Sequence, residues 1–272
     1  MILGPERAEV KNWFRSYTWG MTERLILLSN DDGAWAPGLE ALARVASAYG
    51  RVVVVAPDRN RSAISSAMSL HDILRVREYA EDRYSCTGTP VDCVLVGARA
   101  LLNRTPDWVL AGINHGFNLG EDVFYSGTVG AAFEGAMQGA RAAAFSLDPQ
   151  GDLASIEPWL RRFLDRWETL DLPTNRIWNV NFPKGEAKGF RVTGQDNRTY
   201  QDLVEQRLDP RKAPYYWIGG GMGPSYARSA GSDAEATLAG FVSLTPLRLD
   251  MACPEVMARR AALDAAFNGE GP

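Results

Sequence analysis

The chain has 272 residues, 46% hydrophobic and 23% charged, with a formal net charge of −4. That length supports one large core or two small ones, and the acidic balance argues against a protein that grips a nucleic-acid backbone. Three cysteines and two histidines exclude a disulfide framework and a histidine-rich zinc centre and indicate a reducing, cytoplasmic setting; no run approaches a membrane span.

Residues 1–20 are interrupted by Pro5, Glu6, Arg7, Glu9, Lys11 and Arg15, which break the apolar core a secretory signal needs. They read as an extension, with Met21 the expected start of a domain over 21–252. Next come Leu25-Ile26-Leu27-Leu28, ended by Ser29-Asn30-Asp31-Asp32-Gly33. An aliphatic run closed by turn residues suits a strand buried on both faces of a parallel sheet. Ligands bind beyond the carboxyl ends of such strands, so Asp31 and Asp32 fall where a site is expected. The plain reading is a solvated turn. The sharper one is a hard-cation site for Mg²⁺, Mn²⁺ or Ca²⁺, because adjacent carboxylates repel unless a positive charge joins them.

Pro37 and Gly50 bracket a helix, and residues 51–57 form a second buried strand. Strand, helix and strand make a βαβ unit. The Gly-x-Gly-x-x-Gly fingerprint is absent after the first strand, which disfavours a dinucleotide. Residues 58–66 form a polar loop at the same sheet edge, and 69–88 a β-rich excursion. Thr89 caps a helix that begins at Pro90 and runs to Leu102. Residues 107–114 make a third strand entering the loop Asn114–Gly120, whose asparagines and glycines suit close approach to a small polar ligand. Ser126-Gly127-Thr128 opens a small-residue helix, either as a plain cap or as a phosphate seat. A fourth strand (141–147), an amphipathic helix (153–170) and a fifth strand (176–183) follow.

The texture changes after Pro183. Strand-like stretches at 190–193, 215–218 and 241–247, a short helix at 233–238 and a mobile loop at 219–224 make a β-rich extension over 184–250. Residues 253–267 read as a closing amphipathic helix, with a tail to 272. The fold class expected is α/β: a Rossmann-like, doubly wound, mostly parallel sheet with a β-rich C-terminal extension.

Four polar clusters, at 30–33, 58–66, 114–120 and 126–128, can lie along one sheet edge. They supply carboxylates, hydroxyls, amides, arginines and a helix N-terminus, a set able to hold a divalent cation and a phosphate. Metal-assisted phosphate-ester hydrolysis is the reaction class these residues indicate.

These segments also resemble the SurE survival-protein nucleotidases. The likeness rests on Ile26 to Gly33 with Ala36-Pro37-Gly38, on Val55-Ala56-Pro57-Asp58-Arg59-Asn60-Arg61-Ser62, and on Gly88-Thr89-Pro90-Val91-Asp92-Cys93. Gly112-Ile113-Asn114 with Asn118-Leu119-Gly120, Tyr125-Ser126-Gly127-Thr128-Val129 and Ser243-Leu244-Thr245-Pro246-Leu247 complete it. The resemblance implies a divalent-metal phosphatase of nucleoside 5′- and 3′-monophosphates, cytoplasmic and dimeric or tetrameric. It implies metal ligation by Asp31, Asp32, Ser62 and Asn114, and a phosphate site lined by Asn118, Ser126, Gly127 and Thr128. Two nucleophiles stay open: Asp31 itself, or a metal-activated water, the preferred one, with an aspartate as general base. Residues 212–214 and 219–223 depart from the family spacing. The rivals are a non-catalytic nucleotide- or phosphate-binding module and a metal-free transferase. The first predicts no phosphate release, and the second predicts indifference to a chelator.

Overall fold

The computed structural model describes residues 23–102, 104–167, 169, 176–199, 204–218 and 225–268. The expected extension at 1–20, the start at Met21 and the loop at 219–224 lie outside the described residues.

The aliphatic run is β1 (Leu25–Ser29), buried at every position. α1 (Pro37–Ala46) carries it over to β2 (Arg51–Pro57), parallel to β1. The excursion is a hairpin, β3 (Val76–Ala80) and β4 (Arg83–Cys86), with β4 parallel to β2. α2 (Pro90–Val96) begins with a capping box between Thr89 and Asp92 and continues as a π-turn over Gly97–Leu101. The chain then returns to the other side of β1 as β5 (Trp108–His115). α3 (Gly127–Met137), β6 (Arg141–Leu147), α4 (Leu153–Trp167) and β7 (Arg176–Phe182) extend the parallel sheet. The strand order therefore reverses between β2 and β5 around β1, and a ligand crevice is expected beyond that point.

Alternation along β1 divides the core. Ile26 and Leu28 face α1 and α4 with Leu39, Phe145 and Trp167. Leu25 and Leu27 face the α2 and α3 layer with Val94, Val129 and Ala132. The small residues of α3 let it lie close to the sheet: a Cβ built on Gly135 would come within 2.4 Å of Val109.

The β-rich segment is not a separate appendage. β8 (Phe190–Val192) belongs to the main sheet through a strand at 242–248, which pairs with β7 as well. Two small pairs stand apart: β9 (Arg198–Thr199) with β12 (Ser225–Tyr226), and the hairpin of β10 (Val204–Leu208) and β11 (Pro214–Ile218). The short helix falls where expected, as α5 (Asp233–Leu238), and leads into β13 (Val242–Arg248). The closing helix does not form as one piece. It divides into α6 (Pro254–Met257) and α7 (Arg260–Phe267), neither with a buried residue. Among the described residues its apolar positions find no surface to bury against, so periodicity alone did not make it one packed helix. Among the described residues no helix is long and apolar enough to cross a membrane.

Candidate active site

The turn after β1 is built by Asn30. Its side chain, fully buried, donates to the Gly33 carbonyl (3.0 Å) and accepts from the Gly33 N–H (3.1 Å). Gly33 takes a φ of +110°, open to glycine. Ala34 N–H then bonds the Pro57 carbonyl at 2.8 Å, tying this turn to the end of β2. Asp31 and Asp32 sit on a rigid corner at the switch point.

Asp31 is 4% exposed. Its Oδ1 accepts the Thr128 hydroxyl at 2.6 Å, and its backbone carbonyl accepts the Arg61 N–H at 2.6 Å. Burial pushes its carboxyl above the ordinary range; the Thr128 hydroxyl works against that and the charge of Asp32 adds to it. Asp32 is half-buried and is also raised by burial, eased by the backbone of His115. Two adjacent carboxylates that both resist ionisation are stabilised by a cation.

Asn60 connects the second loop to this pair. Its Oδ1 accepts the Ser62 N–H at 2.9 Å, and its Nδ2 reaches Asp32 Oδ1 at 3.4 Å. In the same loop Ala63 and Ser65 hold positive φ of 58° and 59°, a conformation that costs energy outside glycine. Ser65 is pinned to the Tyr125 carbonyl through its N–H. On the far side of β1, Asn114 Nδ2 donates to the Gly116 carbonyl at 2.9 Å, so its oxygen is the atom left for a ligand. Asp32, Asn60, Asn114 and His115 form the polar end of a cavity of about 320 Å³ whose other walls include Pro37, Ile113, Leu147 and Leu153.

α3 begins against the same centre. Ser126 is its N-cap, its hydroxyl accepting the Val129 N–H at 3.1 Å, and the Thr128 backbone N–H also supports the Asp31 carboxylate. Gly127 lies against Asp31: a Cβ there would be 2.9 Å from the Asp31 Cβ and 3.1 Å from its Oδ2. The contact that demands glycine is therefore with the carboxylate.

Asn118 is buried. Its Nδ2 donates to Ser146 Oγ (2.8 Å), its N–H to Asn181 Oδ1 (2.9 Å), and its carbonyl accepts from Asn179 (2.7 Å) and Asn181 (3.2 Å). One turn on, Gly120 N–H is held by the fully buried Asp233 at 2.8 Å. The structure thus joins Asp31, Gly127 and Thr128 directly, links Ser62 to Asp32 through Asn60, and places Asn114 beside Asp32. Asn118 is positioned behind the loop by β6 and β7. Sequence reasoning missed Ser146, Asn179, Asn181 and Asp233, and took in Asn60 only as part of the 58–66 loop. The asparagines alternate with Trp178, Val180 and Phe182 in a strand otherwise apolar at its centre, a period-two signal open to reading.

Asp31, Asp32, Ser62 and Asn114 offer only oxygen donors, which suit a hard cation. Among the described residues no three His, Cys, Asp or Glu side chains cluster, so a cation here needs the neutral hydroxyl and amide as well.

Fold and site define an α/β protein with a carboxylate pair at the sheet's switch point, facing a helix N-terminus. The family profile described as Survival protein SurE matches residues 26–202. The 5′-nucleotidase SurE of Syntrophotalea carbinolica is 45% identical over 233 residues, 84% of this chain and 92% of the relative. That of Vibrio cholerae is 43% identical over 234 residues, covering 85% and 93%. The crystal structure of the SurE protein from Aquifex aeolicus superposes with a TM-score of 0.76 at 37% identity, covering 88% of this chain and 99% of that one. The chain belongs to the SurE family.

Proposed function

We propose that this protein is a divalent-metal-dependent phosphatase of nucleoside 5′- and 3′-monophosphates. The observation that carries the reading is the buried Asp31 carboxylate, raised by desolvation and held against Thr128 at the N-terminus of α3. Family membership and the names of the relatives support it.

In this reading Asp31, Asp32, Ser62 and Asn114 hold one Mg²⁺ or Mn²⁺, a site Ca²⁺ also fits. A cation bound there supplies Lewis acidity to the phosphoryl oxygen and lowers the pKa of a nearby water. The Gly127 amide and the dipole of α3 orient the phosphate, with Thr128 holding Asp31 beside it, Ser126 setting that helix end and Asn118 fixing the loop opposite. Asp32, the more exposed aspartate, takes the proton of the attacking water. The P–O bond to the nucleoside breaks, and the proton held by Asp32 passes to the departing oxygen, so the nucleoside leaves as its alcohol. The apolar cavity beside Asp32 receives the nucleoside.

A homodimer or tetramer belongs to the same proposal. Every residue of β10 and β11 is exposed, and apolar edges of this kind invite association. The cysteine usage of the sequence supports a cytoplasmic setting, and its acidic balance gives nucleic acid no role. The domain reading keeps 21–252 as one nucleotidase domain, followed by a C-terminal helical segment and tail over 253–272.

The test is phosphate release from a panel of nucleoside monophosphates with Mn²⁺, with Mg²⁺ and with a chelator. Metal-dependent release is expected. Tight nucleotide binding without release would establish the binding-module rival, and chelator-resistant release would exclude the metal.

A further inference from the structure

A second hollow lies on the opposite side of β1 from the apolar cavity. It measures about 710 Å³ and lies between the Trp35 turn, Asp58 and the β3–β4 hairpin. Ligand pockets typically span roughly 300–1,000 Å³. Trp35 is 64% exposed, yet it is held in place. Its ring lies 5.4 Å from that of Tyr79, whose hydroxyl donates to the Ala34 carbonyl at 3.0 Å.

The hairpin contributes Arg75 and Arg77, two residues apart and on one face of the strand direction. Arg77 is paired with Ser85, and the Arg75 N–H donates to Thr87 Oγ1 at 3.0 Å, which fixes the backbone under both side chains. Both arginines are exposed. Nearby guanidinium groups are engaged: Arg83 with Glu40 at 2.9 Å, and Arg61 with the Thr87 carbonyl at 2.6 Å. Among the described residues, neither Arg75 nor Arg77 has a side-chain partner. Asp58 is the acidic residue of the lining, and Arg59 approaches it at 3.9 Å. Charge on an edge strand also discourages strand pairing, but that role asks for no exposed indole in the same hollow.

We propose that this groove is a nucleotide-binding site distinct from the Asp31–Asp32 centre. The base stacks on Trp35 and the phosphates meet Arg75 and Arg77. Stacking on an aromatic ring suits any base, and the planar guanidinium fork matches phosphate oxygens. β4 lies two strands from β1, roughly 10 Å at the usual strand spacing, which sets the two arginines apart from the phosphate seat at α3, while Trp35 borders the turn that carries Asp32.

The experiment is calorimetric titration of ADP into metal-free protein in a chelator, so that binding is read without turnover. Wild type and Asp31→Asn should bind alike. Trp35→Ala and the double variant Arg75→Ala/Arg77→Ala should each weaken binding at least tenfold, with melting temperatures checked in parallel. Turnover of nucleoside monophosphates with Mn²⁺ should stay within about twofold in those groove variants. The charge-reversed pair Arg75→Glu/Arg77→Glu, also at exposed positions, repeats the test if an alanine variant folds poorly. The proposal fails if metal-free protein does not bind ADP or if the arginine variants bind it normally. It also fails if pyrophosphate binds as tightly as ADP, or if the groove variants lose monophosphate turnover. Loss of all turnover in wild type would defeat the phosphatase reading and leave this result standing.

Discussion

At the carboxyl edge of the parallel strands, Asp31, Asn118, Thr128 and Asp233 are polar and buried. On the β10–β11 hairpin, Tyr216, Trp217 and Ile218 are apolar and 65%, 54% and 84% exposed. Each region inverts the usual relation of polarity to burial, and each inversion has its own remedy. Buried polar groups need hydrogen bonds or a bound charge, and the edge supplies most of these from within one chain. Exposed aromatic surface is relieved by another surface, which the hairpin does not find among the described residues. In the function proposed above, the first region serves a small charged ligand and the second a second copy of the chain.

The sharpest way to break this contrast is Asp31→Asn. Removing a charge that the site needs should cost several kcal/mol of transition-state stabilisation, roughly 10³-fold in phosphate release. The metal-free protein should gain stability from the same change. Asp31 and Asp32 both have folded pKa values raised above the ordinary 3.8. Their contribution is therefore present at low pH and lost as pH rises through the folded values. The melting temperature of metal-free Asp31→Asn should exceed wild type at pH 7 and converge with it near pH 4. A variant less stable than wild type at pH 7 would show that the carboxylate is already compensated.

Gly127→Val comes next. Its side chain would enter space held by the Asp31 carboxylate and Ile64, with contacts of 2.9 Å. Turnover should fall about 10²-fold, in the range for disturbing what orients a ligand, and the melting temperature should fall with it. Unchanged kinetics would mean that α3 can retreat from Asp31.

The asparagines divide the edge further. Asn114→Ala should weaken metal binding by calorimetry. Asn118→Ala should keep the metal and lower turnover about tenfold, since it removes one buried hydrogen bond of roughly 1–1.5 kcal/mol. The reverse pattern would exchange their roles.

The smallest effect on chemistry should come from the hairpin. Tyr216→Ser with Trp217→Ser should shift the mass measured by light scattering toward monomer and leave turnover per chain within a few-fold. An unchanged oligomer would place the contact elsewhere.

What the sequence disclosed follows the same division. The aliphatic run at 25–28, the turn at Asn30–Gly33 and the Thr89 cap are local devices, each legible within a few residues. The strand ends could be aligned on one edge because parallel strands joined by helices all point the same way. The sequence singles out Asn118, but its setting was not legible there. Its partners Ser146, Asn179 and Asn181 lie 28 to 63 residues away, and only the adjacency of β5, β6 and β7 brings them together. The closing helix failed for the converse reason: its periodicity was local, and nothing in the sequence showed that its apolar positions would stay unburied.

The placement of β13 has a consequence for how the molecule comes into being. This strand lies between β7 and β8, although some sixty residues of chain separate it from the first of them. A ribosome that has released residues only as far as 241 presents β7 with a raw flank and β8 with no neighbour at all. The crevice at β1 and β5 can already be assembled at that moment, while one border of the sheet still waits for its last thread. Vectorial synthesis thus leaves a temporary opening on the side opposite the chemistry, and a nascent chain stalled there would be vulnerable to capture by other strands.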